Sequence, residues 1–317
     1  MEKSKLLITE SQDFSSEAIQ LLQEKFEVVI GNVKSTEELL DLLNDCEVAF
    51  IRLKFYFGKE VLSKLPKLKY ILTATTGLDH IDVDYFEKHG GKVISLKGEY
   101  SFLQSIPSTA EHTWALILAL LKKLPQSFQS VQAGNWNRNL FKGNNLKNKK
   151  IGILGLGRVG KQVAKFAQAF DMEVAFYDIA TIESEHLQFK TPQELFKWAD
   201  ILTIHIPLNE SNIQFVNEEL LELLSSKSVI INTSRGLVWD ELAIVELVKK
   251  NKIAGVATDV LQNEMNIAQV VNSDLIKMSN QGYNVIITPH IAGATYESMS
   301  MTENFISNKF IRQLKNS

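Results

Sequence analysis

Apolar residues in the first third of the chain follow two rhythms. Short continuous runs at residues 6–9, 26–30, 48–53, 68–74 and 92–96 predict buried strands, because a strand covered on both faces has no polar side to alternate with. Between them, Ala18, Ile19, Leu21 and Leu22 fall at helical spacing within 16–25. Ser35-Thr36-Glu37-Glu38 opens a second helix running to 44, and 59–65 makes a short third. Such alternation argues a parallel sheet with helices on both faces.

Pro107-Ser108 precedes a long helical stretch at 109–124, where Ser108 or Thr109 is expected to cap and Trp114, Ile117, Leu118 and Leu121 recur at helical spacing. Residues 125–148 are polar and rich in asparagine, and are expected to form an irregular arm or interface. A second series of strands is then predicted at 151–154, 174–176, 201–205, 229–233, 255–260 and 285–288, with a helix over 240–250. Six strands with interposed helices predict a second doubly wound domain.

The first turn of that second series, Gly155-Leu156-Gly157-Arg158-Val159-Gly160, joins a strand to a helix, and the next strand ends at Asp178. A glycine pattern embedded in a complete strand–helix–strand unit is a strong dinucleotide signal. Gly155 permits the tight turn, Gly157 leaves the backbone open to a pyrophosphate, and Gly160 allows close helix–strand packing. The helix start, with its free N–H groups and its dipole, forms an anion site. Asp178 sits where an acid grips a ribose 2′-hydroxyl, and Ile179, Ala180 and Thr181 offer no cation for a 2′-phosphate. This pattern predicts NAD rather than NADP.

Composition adds limits. A chain of 317 residues allows two domains, and 45% hydrophobic with 22% charged residues is ordinary for a globular protein. A net charge of −3 gives no general attraction to nucleic acid or to an anionic membrane. The single Cys46 cannot form an internal disulfide, which fits a reducing, cytoplasmic setting, and its strand context predicts packing rather than catalysis. No signal-peptide pattern or membrane-length apolar run is present, and no metal site is expected.

Ligand chemistry in doubly wound sheets gathers at the carboxyl ends of the strands. Arg235 follows the fourth strand of the second series in INTSRG, Glu264 the fifth in ATDVLQNE, and His290 the sixth in ITPHIAG. Together they compose a hydride-transfer site. Histidine serves as acid or base near neutral pH, a carboxylate beside it would favour the imidazolium, and arginine holds a substrate carboxylate through two parallel N–H bonds.

These segments, with PKLKYILTATTGLDHIDVD, TAEHTWALILAL, IGILGLGRVG and ITPHIAGATYESM, resemble the D-isomer-specific 2-hydroxyacid dehydrogenase family, which includes D-3-phosphoglycerate dehydrogenase. The resemblance spans nearly the whole chain, with the motifs in the family's order and spacing. It implies a Rossmann dinucleotide-binding domain (107–289) inserted into a flavodoxin-like substrate domain (1–106 and 290–317), closed by a helix over 297–314. It further implies that Arg235, Glu264 and His290 are the substrate-binding arginine, the histidine's partner and the acid/base. Backbone N–H groups at Thr76 and Gly77 would hold the substrate carboxylate. Arg158 and Val159 would touch the pyrophosphate, with Asp178 at the adenosine ribose. Pro207 would lie near the adenine, Thr233 near the cofactor backbone and Asp259 at the nicotinamide carboxamide. Homodimers built through the dinucleotide domain and its arm are typical of the family.

The chain departs from the family pattern in places. Met265 follows Glu264 where proline is common, and residues 98–107 (GEYSFLQSIP) make a longer segment than usual. Arg52 matches an arginine that relatives place at the substrate mouth, yet Leu53 replaces the usual serine. Arg52, Lys54 and Arg138 are candidates to read a phosphate, or solvated charges. The implied substrate is 3-phosphoglycerate first, then glyoxylate or hydroxypyruvate. Phosphite oxidation is an alternative, and an NADH-sensing corepressor of the same fold is another. Formate oxidation fits less well, since enzymes of that type carry glutamine where Glu264 stands.

Overall fold

The computed structural model describes residues 3–315. The chain divides into two compact units: one runs to Ser105 and resumes at Ala294, and the other spans Ile106–Gly293.

The first unit holds a five-stranded parallel sheet of β1 (Lys5–Ile8), β2 (Glu27–Ile30), β3 (Cys46–Ile51), β4 (Tyr70–Thr73) and β5 (Lys92–Ile94). Its order, β2-β1-β3-β4-β5, is the flavodoxin-like one. The central strands β1 and β3 are almost wholly buried, which explains why they read as continuous apolar runs. Cys46 opens β3 and is buried. The helix Tyr296–Lys315 completes this unit, with Phe310 stacked on Phe26 and set against Tyr70. Residues 98–105 fold onto the same helix. Phe102 stacks on Phe305 with ring centroids 4.0 Å apart, and the Lys309 ammonium lies 2.8 Å from Glu99.

The second unit holds seven parallel strands: β6 (Lys150–Leu154), β7 (Glu173–Tyr177), β8 (Leu187–Gln188), β9 (Ile201–Ile204), β10 (Val229–Asn232), β11 (Gly255–Thr258) and β12 (Val285–Ile287). Their order, β12-β11-β10-β9-β6-β7-β8, reverses direction between β6 and β9, which is the doubly wound topology with its switch point there. The sequence predicts six of these strands. The seventh, β8, has two residues at the sheet edge and is too short to carry a period.

Two local expectations are corrected. Ser108 and Thr109 do not cap the long helix. It starts at Ser108 behind Pro107 with no side-chain cap bond, and ends at Lys122 because Lys123 adopts a left-handed conformation with φ 55°. The region beyond it is not wholly irregular, since Leu124–Gln132 forms a further helix with Pro125 in its first turn. That helix buries none of its residues, and its few apolar positions, Leu124, Phe128 and Val131, stand exposed among polar ones. Among the described residues, no helix is long and apolar enough to cross a membrane.

Candidate active site

At the switch point β6 delivers its chain into the glycine turn. Gly155 has φ +93°, and a Cβ there would meet His205 carbonyl atoms at 3.0 Å, so the turn needs glycine twice over. A Cβ on Gly160 would meet the Gly155 carbonyl oxygen at 2.2 Å, which fixes the close approach of helix Arg158–Ala169 to the turn. A Cβ on Gly157 would meet nothing within 4 Å. This residue sits at the helix N-cap with no side-chain cap bond, so open space lies before unshielded N–H groups. The Asp178 carboxylate closes the turn from the end of β7, accepting from Leu156 N at 2.9 Å and Ala180 N at 3.1 Å. These features fit a dinucleotide pyrophosphate with its ribose beside Asp178.

Arg158 opens the helix that follows the glycine turn. Its Nη1 donates to the Ile106 carbonyl at 3.0 Å, and burial pushes its guanidinium below the usual value. Val159 lies beside it, half-buried on the same helix turn. His205 follows β9. Desolvation, then the nearby Arg158 charge, hold its imidazole down to about 3, so it is neutral, and its Nε2 pairs with Thr203 Oγ1 at 2.8 Å. Pro207 is exposed two residues on, its carbonyl accepting from Asn212 Nδ2.

The ends of β10, β11 and β12 bring the reactive groups together. After β10, Asn232 shapes the turn: its Oδ1 accepts from Ser234 N and Oγ, and its Nδ2 donates to the Arg235 carbonyl. Thr233 is buried and bonds Thr113 Oγ1 at 2.8 Å. Gly236 follows Arg235, and a Cβ there would fall 2.1 Å from the Leu261 carbonyl carbon. Glycine therefore lets the arginine turn press against the loop that carries Glu264. Arg235 is half-buried, with Nη1 donating to the Ser234 carbonyl at 2.8 Å.

Glu264 links its own loop to the next strand end. Oε2 accepts from Leu261 N at 3.2 Å, while Oε1 lies 2.7 Å from His290 Nδ1. Both side chains are about a quarter exposed, at 26% and 27%. The carboxylate assigns the proton at Nδ1 to the donor role, leaving Nε2 to take or give a proton. His290 itself has φ 55°, a conformation rare outside glycine.

Asp259 is buried against this turn. Its Oδ1 accepts from Thr288 Oγ1 at 2.5 Å and Ile291 N at 2.9 Å, and its Oδ2 accepts from Ala292 N at 2.7 Å. Burial pushes this carboxyl up, but bonds from His112, Thr288, Ile291 and Ala292 outweigh it and leave it below the usual range. His112 reaches the same cluster, with Nε2 2.9 Å from Thr288 Oγ1. The sequence contains His112 in a quoted motif but gave it no role, because its partners lie far along the chain.

In the first unit, Thr76 and Gly77 follow β4 in a turn where Thr75 Oγ1 donates to the Gly77 carbonyl at 2.8 Å. Among the described residues their N–H groups donate to no other group, which suits an anion. Arg52 follows β3 and bonds within this unit. Its Nε and Nη2 both reach Glu303 Oε1, at 3.1 and 2.6 Å, and Nη1 donates to the Gln12 carbonyl at 2.9 Å. Lys54 Nζ is likewise engaged, by the Val33 carbonyl at 2.5 Å. Three of the five guanidinium N–H donors of Arg52 are thus taken up by partners within its own unit.

Residues 114–292 match the model of the D-isomer specific 2-hydroxyacid dehydrogenase NAD binding domain. The chain belongs to the D-isomer-specific 2-hydroxyacid dehydrogenase family. It is 33% identical over 310 residues to a glyoxylate reductase of Thermofilum pendens, covering 94% of this chain and 88% of that one. It is 32% identical over 316 residues to a D-3-phosphoglycerate dehydrogenase of Methanocaldococcus jannaschii, covering 98% of this chain but spanning 57% of that relative's length. The structure of a D-lactate dehydrogenase from Aquifex aeolicus, complexed with NAD and lactic acid, superposes with a TM-score of 0.83 at 28% identity. That match covers 99% of this chain and 96% of the other. A Rossmann domain inserted in a flavodoxin-like domain is thus the family architecture and the one seen here.

Proposed function

We propose that the chain is an NAD-dependent oxidoreductase that interconverts a D-2-hydroxy acid and its 2-oxo acid. The His290–Glu264 pair, 2.7 Å apart beside the Arg235 turn, carries this reading. In reduction, His290 Nε2 gives a proton to the forming hydroxyl, and in oxidation it takes that proton back. Glu264 steadies the imidazolium and holds the ring through Nδ1. Arg235 binds the substrate carboxylate. The turn Gly155–Gly160 and Asp178 would hold NAD, which would supply the hydride acceptor or donor when bound. The turn holding Thr233 and the Asp259 cluster border that same strand-end region.

The engagement of Arg52 and Lys54 favours a small unphosphorylated acid such as glyoxylate or hydroxypyruvate over 3-phosphoglycerate, reversing the order expected from sequence. Arg138 is exposed on a short turn and adds no built phosphate site. The exposed Leu124, Phe128, Val131, Trp136 and Leu140 of the arm support a homodimer built through the second unit.

NADH consumption with glyoxylate, hydroxypyruvate and 3-phosphohydroxypyruvate tests the reading. Turnover is expected on the first two above the third. No turnover on any of them, with tight NADH binding, would make the chain a sensor instead.

A further inference from the structure

The turn carrying His290 is held by a part-buried relay that starts on a helix far along the chain. His112 lies in helix Ser108–Lys122 and is separated from Thr288 by 176 residues. Thr288 has one hydroxyl proton, and its 2.5 Å bond to Asp259 Oδ1 uses it. Its oxygen therefore accepts from His112, which assigns the proton to Nε2 at 2.9 Å. The same Nε2 lies 3.4 Å from Asp259 Oδ1. Asp259 in turn receives the N–H groups of Ile291 and Ala292, and its own carbonyl accepts from His290 N at 2.8 Å. Residues on both sides of His290 are thereby tied to one carboxylate, while His290 keeps its left-handed φ of 55°.

We propose that His112 is a positioning residue for His290, acting through Thr288 and the Asp259 carboxylate to hold the turn at residues 288–292. The proposal rests on the reading of His290 as the acid/base. Asp259 is buried, and its hydrogen bonds are costly to leave half-made, so loss of the His112 donor loosens Thr288 and, with it, the Asp259 oxygens that grip the turn. His112 touches no reacting atom in this scheme. It sets where the imidazole stands.

The test compares His112→Leu, which removes the donor, with His112→Gln, which returns an N–H at similar reach. Hydrogen exchange of the peptide spanning 288–292 is measured on the full chain without ligand, alongside NADH affinity and steady-state kinetics with glyoxylate. His112→Leu is expected to speed exchange in that peptide and to lower kcat between about tenfold and a hundredfold, as small misplacements of a catalytic group do. KM for glyoxylate should change less than kcat, and His112→Gln should restore both exchange and kcat. Thr288→Val, which breaks the relay at its middle, should reproduce the leucine variant and serves if that variant does not fold. Unchanged exchange at 288–292 in the leucine and valine variants would overturn the proposal. A wild-type protein that turns over no 2-oxo acid would sink the dehydrogenase reading instead, with the exchange data still deciding the clamp.

Discussion

The Glu303 carboxylate lies 2.6 Å from the Arg52 guanidinium across 251 residues of chain, with Glu303 only 1% exposed. Ser15 N also donates to Glu303, at 2.8 Å. The pair ties helix Tyr296–Lys315 to the end of β3, so the returning end of the chain is fastened by charge as well as by the Phe310 stack.

Arg52→Ala should therefore destabilise the protein rather than change its substrate preference. Burial already raises the Glu303 carboxyl above the usual range, against the opposing Ser15 and Arg52 contributions. Removing the guanidinium raises it further. A native group with a raised carboxyl value binds protons more readily than the unfolded chain, so stability falls as pH rises through that window. The expected loss is about 3 kcal/mol near neutral pH, shrinking as pH falls toward the carboxylate range. Denaturant melts at two pH values check this, and a KM shift for the substrate without a stability loss would restore Arg52 to substrate binding.

His205 makes a second pH prediction with the opposite limb. Its imidazole is held down to about 3, mainly by desolvation, whereas an unfolded chain titrates at 6.5. Below that value the unfolded state takes up a proton the native state refuses, so this group lowers stability as pH drops from 6.5 toward 3. His205→Gln, which keeps a partner for Thr203, should flatten the acid limb of the Tm profile. An identical profile in the variant would show that His205 is protonated in the folded protein.

Asp178 should set the cofactor preference. Both carboxylate oxygens are anchored by turn amides, so the charge cannot swing away from a 2′-phosphate. Asp178→Ala is expected to narrow the preference for NAD over NADP, measured as the ratio of kcat/KM values. A wild-type protein that uses both equally would refute the role.

The arm makes a prediction about assembly. Phe128 and Trp136 are 66% and 91% exposed, apolar surface of the kind a second copy would cover. Light scattering should find a dimer, and Phe128→Glu with Trp136→Asp should yield monomers that still bind NADH. A monomeric wild-type protein would end this reading.

What the sequence made legible follows from range. The glycine turn, the buried strands and the residues at strand ends are local patterns, and Gly155, Gly160 and His290 stand where those patterns lead. Arg52, Arg158 and His112 were not legible in the same way. Each finds its partner at Glu303, Ile106 or Thr288, and a long side chain shows no period that names a distant acceptor. The helix Leu124–Gln132 escaped for another reason: its apolar positions, Leu124, Phe128 and Val131, are few, set among polar residues and exposed.

The His290–Glu264 pair gives the final prediction. Glu264 holds Nδ1, so the ring keeps a fixed face and Nε2 remains the transferring atom. His290→Ala should abolish turnover while NADH binding persists, because no cofactor-turn residue depends on the imidazole. Glu264→Gln keeps a hydrogen-bond acceptor but removes the charge that favours the imidazolium. It should leave measurable turnover but lower kcat, since the ring keeps its hydrogen bond and loses the charge beside it. Full activity in His290→Ala would sink the acid/base role. Wild-type kcat in Glu264→Gln would reduce Glu264 to a purely steric support for the ring.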